Sequence, residues 1–82
     1  MQSYVLIKCE PGSEKETISH LKKLPEVVEV NGIWGKYDII IKITTFQPHE
    51  MDSSIAKIRS IKHIEDTHTM PVLYGQGGTI DD

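Results

Sequence analysis

With a single cysteine, no run of basic residues and no long apolar stretch, this 82-residue chain loses several function classes at once. A lone Cys9 forbids an internal disulfide and gives no sign of an oxidising compartment. No segment approaches the roughly 20 apolar residues of a membrane helix, and the N-terminus has no charged stretch leading into a long apolar run. A soluble, cytoplasmic protein is expected. Twelve acidic residues against nine basic ones give a net charge of −3, and Lys22-Lys23 is the only basic pair. Most nucleic-acid affinity comes from neutralising phosphates, so this balance argues against direct DNA or RNA contact. The chain also lacks a Gly-rich phosphate loop, a nucleophile turn and paired-carboxylate spacing, so neither catalysis nor a cofactor is expected.

At this length the chain is one domain, and a small domain often borrows stability from oligomerisation. The first strand is read at residues 3–9, with Val5, Ile7 and Cys9 on one side and Tyr4, Leu6 and Lys8 on the other. Pro11-Gly12 breaks it. Ser13 then opens a helix whose capping box is completed by Glu16 and whose apolar stripe is Ile18, Leu21 and Leu24. Pro25 forces the exit. "EVVEVNGIW" reads as a second strand and "DIIIKITT" as a third, hairpin-paired across Gly35-Lys36-Tyr37. A second helix spans 47–61 with Met51, Ile55 and Ile58 inward and Arg59 favourably placed near its C-terminal end. The last strand is read over 63–74, where Pro71 implies a bulge, an edge or an early end. Residues 1–74 form the domain and 75–82 a flexible tail.

The order strand, helix, strand, strand, helix, strand is that of the ferredoxin-like βαββαβ class, an α+β fold with a four-stranded antiparallel sheet and both helices on one face. The other face has no helix to meet, yet strand three offers Ile39, Ile41 and Ile43 on one side and Ile40 on the other, strand one Tyr4 and Leu6 opposite Val5 and Ile7, and strand two Val27 and Ile33 as well as Val28, Val30 and Trp34, so one of each set falls there. Exposed apolar area on that scale marks an interface, and a homodimer through the open faces is expected.

"SYVLIKCEPGSEKETISHLKKLPEVVEVNGIWGKYDIIIKI" and "IAKIRSIKHIEDTHTMPVL" together resemble the effector-binding (RAM) domain of Lrp/AsnC transcription regulators over about residues 3–73. The resemblance rests on the Glu-Pro-Gly after strand one, "LPEVVEV", the Gly-x-Tyr-Asp turn of Gly35 to Asp38, "KIRSI", and the Thr-x-Thr of Thr67 and Thr69. Family regulators place a helix-turn-helix domain first, whereas this sequence enters its first strand by residue 3, so a stand-alone effector domain is expected. The resemblance implies dimers that ring into octamers of four dimers, and small amino-acid-like ligands bound where dimers meet. It offers full-length Lrp/AsnC regulators as partners. Carried over residue by residue, it marks Gly35, Tyr37, Asp38, Thr67 and Thr69.

Those residues suit a zwitterion: backbone N–H groups near Gly35 for the carboxylate, Asp38 for the ammonium, two hydroxyls, and Trp34 or Tyr37 as an apolar wall. The same residues also suit bland duties. Gly35 fits a left-handed turn, Asp38 a turn hydrogen bond, the threonines ordinary strand positions, and Trp34 an interface. Four histidines raise the alternative of copper or zinc held at subunit interfaces by His63 and His68, although their spacing of five puts them on opposite sides of a regular strand.

Overall fold

The computed structural model describes residues 1–80. Its elements are β1 (Gln2–Cys9), α1 (Glu14–Lys22), β2 (Val27–Gly32), β3 (Ile39–Thr44), α2 (Pro48–Arg59) and β4 (Ile64–Pro71). They form one antiparallel sheet of order β2-β3-β1-β4. This is the ferredoxin-like arrangement, with β1 and β3 central and β2 and β4 at the edges. Among the described residues no helix is long and apolar enough to cross a membrane.

Strict alternation builds the core. Val5, Ile7 and Cys9 of β1 and Ile39, Ile41 and Ile43 of β3 are buried on one face, against Leu21 of α1 and Met51 and Ile58 of α2. Branched side chains pack well on a pleated surface, which explains the isoleucine run of β3. The helices bury stripes slightly different from those expected. Thr17 and Leu21 are the buried pair of α1, while Ile18 and Leu24 lie at its margin. In α2 the buried set is Met51, Ser54 and Ile58, with Ile55 at the rim.

Three local expectations are corrected. Ser13 makes no capping box: its φ and ψ of −98° and 4° turn Oγ back to donate to the Glu10 carbonyl at 2.6 Å, and Glu16 instead faces His20 and His63. In β2 the register slips between Val27 and Glu29, making Val28 the extra residue of a bulge. The bulge resets the alternation, so Val27 and Val30 both pack against the core while Val28 and Trp34 are exposed. β4 ends at Pro71, not Tyr74, on an edge strand where a missing N–H donor is tolerated. Residues 72–80 form neither strand nor helix, and residues 81 and 82 of the expected tail lie outside the described residues.

The uncovered face is mixed rather than uniformly apolar. By register, Tyr4 sits between Lys42 and Met70, Leu6 between Ile40 and His68, and Lys8 opposite Asp66. Lys42 Nζ lies 3.8 Å from Glu29 Oε2 and 5.7 Å from the centre of the Tyr4 ring. An apolar stripe of Tyr4, Leu6, Ile40 and Met70 is thus rimmed by charge.

A second tie fastens α2 to the entry of β2. Glu26 Oε2 accepts from Ser54 Oγ at 2.7 Å and pairs with Lys57 Nζ at 2.6 Å. The Lys57 hydrogen bond, then Glu26's own backbone N–H, pulls the carboxyl from 4.5 down to about 2, against the opposing effect of burial. Because the folded value is depressed, this stabilisation is fully present above pH 4.5 and disappears as pH falls towards 2.

Two outcomes are expected. Denaturation between pH 5 and 2 should show Glu26→Gln removing an acid-sensitive component of about 2 kcal/mol, reduced from the full shift by screening at the half-exposed Lys57; an unchanged pH profile would contradict the tie. In urea, Ile41→Ala should cost about 2–5 kcal/mol and Val28→Ala less than about 1 kcal/mol. Equal costs would rule out the bulge.

Candidate functional site

The connection between β2 and β3 is pinned, not loose. Asp38 N–H donates to the Ile7 carbonyl at 2.9 Å, Asp38 Oδ2 accepts from Cys9 N–H at 2.9 Å, and Ile33 N–H donates to the Asp38 carbonyl at 2.9 Å. Asp38 thereby extends the ladder of β1 past the end of β3 and holds both ends of the turn. Between them, Gly35 adopts φ +125°, a conformation L side chains rarely accept, and a Cβ built there meets nothing within 4 Å. The turn therefore presents Trp34, Gly35 and Lys36 outward on a rigid base. Sequence reasoning foresaw either a turn acceptor or a ligand group in Asp38; Oδ2 does accept a backbone hydrogen bond, but from Cys9 of β1 and not from within the turn.

Tyr37 reaches β4, but on the uncovered side: its ring stacks against His68 with centroids 6.5 Å apart and planes inclined by 26°. Thr67 and Thr69 pair in register with Ile7 and Val5, so they share the helix-side face of β4. Within one chain, Gly35, Tyr37 and Asp38 share one turn, Thr67 and Thr69 share one strand face, and Tyr37 lies on the opposite side of the sheet from the threonines.

His63 has φ +77°, and its ring bridges two carboxylates, with Nδ1 3.0 Å from Glu10 Oε2 and Nε2 3.4 Å from Glu16 Oε2. His68 is with Tyr37 on the other side of the sheet. The pair suggested as metal ligands is thus separated, and the described residues hold no group of three or more His, Cys, Asp or Glu placed for a metal.

Beside the threonines lies a feature that sequence reasoning missed. A groove of about 570 Å³ opens between α2 and β4, lined by Ser3, Met51, Asp52, Ile55, Arg59 and Thr69 among others. Ser3 is fully buried and its Oγ has no hydrogen-bond partner among the described residues. Arg59 leans over β4, where Nε donates to Thr67 Oγ1 at 3.3 Å, and neither Arg59 nor Asp52 forms an ion pair among the described residues. The available signal was a serine in phase with Val5 and Ile7, a polar residue at a core position.

Comparison with known proteins agrees with this architecture. The Lrp/AsnC ligand binding domain model matches residues 2–75. The HTH-type transcriptional regulator FL11 of Pyrococcus horikoshii is 41% identical over 73 residues, 89% of this chain and 48% of the regulator. A homocitrate synthase of Sulfurisphaera tokodaii is 32% identical over 74 residues, 89% of this chain but 16% of the enzyme. The chain thus spans about half the length of the FL11 regulator and a small part of the synthase. The crystal structure of FFRP-DM1 superposes with a TM-score of 0.85 at 33% identity, covering 88% of this chain and 97% of that one. With the family model over nearly its whole length and this fold, the chain belongs to the Lrp/AsnC ligand-binding domain family.

Proposed function

We propose that the chain is an oligomeric sensor of a small amino-acid-like metabolite, bound between copies of itself, that modulates Lrp/AsnC regulators without contacting DNA. The family membership makes it a regulator-related effector-binding domain. The observation that carries the finer reading is the division of the candidate residues: a pinned turn bearing Gly35, Tyr37 and Asp38, and a separate helix-side pair, Thr67 and Thr69. A ligand that uses both sets needs the turn of one copy and the last strand of another. The site is therefore assembled by oligomerisation.

The relatives support ligand sensing as the shared task. Similar segments lie within a transcription regulator and within a homocitrate synthase, and DNA reading is not common to both. Both helices here pack on the sheet and the net charge is −3, which suits a chain that leaves DNA to others. For assembly, the stripe of Tyr4, Leu6, Ile40 and Met70 inside its charged rim resembles the anatomy of a protein interface. Face-to-face dimers then place the turns at the periphery, where dimers meet in an octamer of four. A ligand that favours one assembly shifts the equilibrium by its differential affinity alone, and the same interface admits full-length relatives as partners.

Calorimetric titration with the twenty amino acids should find at least one that binds. Gly35→Ala, strained by about 1–3 kcal/mol at this φ, should weaken it about tenfold or more while far-UV circular dichroism stays unchanged. Silence across the panel, or full affinity in the variant, would contradict the reading.

A further inference from the structure

The end of β1 is fastened on both sides, and one of the two fastenings contains a titratable ring. Towards β3, Cys9 N–H donates to Asp38 Oδ2 at 2.9 Å, one of the bonds that pin the turn at residues 33–38. Towards β4 the regular pairing slips between Lys8 and Cys9. There the chain is tied instead by Glu10 N–H, which donates to the His63 carbonyl at 2.9 Å, and by the His63 ring, with Nδ1 3.0 Å from Glu10 Oε2 and Nε2 3.4 Å from Glu16 Oε2. One imidazole thus joins the exit of β1, helix α1 and the connection from α2 to β4.

Both ring nitrogens face carboxylate oxygens. A neutral imidazole has one N–H and one lone pair, so it satisfies one carboxylate and sets its lone pair against the other, whereas the imidazolium donates to both. The bridge as built suits the cation. The His63 side chain is only 20% exposed, which shields its contacts from salt, while the two glutamates are more than half exposed, which keeps the effect modest. The backbone adds a second sign. His63 has φ +77°, and every other described residue with positive φ is a glycine. Turn geometry alone favours glycine there, and the ring contacts are what a histidine adds. His20 Nε2 lies 3.9 Å from Glu16 Oε1, whereas Lys8, Lys62, Glu65 and Asp66 form no ion pair with the ring or with either glutamate among the described residues. With both nitrogens turned to carboxylates, the ring has none left for a metal.

We propose that the bridge from His63 to Glu10 and Glu16 is a pH-sensitive latch that sets how firmly the end of β1 holds the turn at residues 33–38. Imidazole is the side chain that changes charge between about pH 5 and 8. Because the bridge favours the cation, its stabilisation is present on the acid side of that range, while the carboxylates are still ionised, and is lost on the alkaline side. Losing one arm leaves Glu10 and its neighbour Cys9 open to more frequent local separation from Asp38. The pinned turn enters here as a structural feature, so the latch stands whether or not a ligand binds there.

Amide hydrogen exchange of the full chain tests this, read as protection factors so that the intrinsic pH dependence of exchange cancels. From about pH 5.5 to about pH 8, protection of Cys9, Glu10 and Asp38 should fall about threefold, the scale of a partly exposed ion pair, while that of Ile41 in the middle of β3 holds. His63→Asn, which tolerates a left-handed backbone but carries no charge, should abolish the difference. Glu16→Gln leaves the strained backbone untouched and should shrink it, because an amide N–H can donate to the neutral ring. His20→Gln should retain it, and so should His68→Gln, which removes the ring stacked on Tyr37 of the same turn. Equal protection at the two pH values, a difference that survives unchanged in His63→Asn or Glu16→Gln, or one that vanishes in His68→Gln would each overturn the latch.

Discussion

Two short helices can cover only one face of a four-stranded sheet, and the rest of this structure follows from that limit. The covered face holds the core of Val5, Ile7, Cys9, Ile39, Ile41 and Ile43, closed by one leucine, one methionine and one isoleucine from the helices. The uncovered face carries an apolar stripe within a charged rim, too apolar for a purely solvated surface and too polar for a second core. A chain so built is short of buried surface, and a second copy is the cheapest source of more.

The same limit decides where a ligand can bind. A single sheet with one helical layer has no deep interior cavity, so binding geometry arises at the margins. Two margins here are built with care. One is the turn held by Asp38 to the end of β1, whose rigidity comes from three backbone-anchored hydrogen bonds of 2.9 Å. The other is the gap between α2 and the edge strand, lined by Ser3, Asp52, Arg59 and Thr69 among others. On its other side, α2 is tied to Glu26 at the entry of β2 through Ser54 and Lys57.

Much of the fold was legible because the signals are periodic. Alternation in "SYVLIKC" and "DIIIKITT" separated the two faces of β1 and β3 as the structure has them, and the order of elements led to the ferredoxin-like topology. What escaped were events without a period. The extra residue at Val28 reverses the phase of β2, and nothing in "EVVEV" distinguishes a bulge from a regular strand. Ser13 and Glu16 have the spacing of a capping box, but the backbone at Ser13 turns its hydroxyl towards Glu10. In the candidate site, the Gly-x-Tyr-Asp turn was readable as a local motif. The placing of Tyr37 across the sheet from Thr67 and Thr69 was not, and neither was the groove that Ser3 lines together with Asp52 and Arg59 across some fifty residues of sequence. Contacts of that kind are set by topology, which sequence spacing does not record.

The central claim is that the open sheet face is buried by another copy, so that the turn of one copy and the last strand of another become parts of one shared site. Sedimentation velocity of the untagged chain from about 1 to 100 micromolar tests it most directly. The account predicts dimers or rings of dimers throughout, with assembly lost in a variant carrying lysine in place of Ile40. A monomer across that whole range would contradict it.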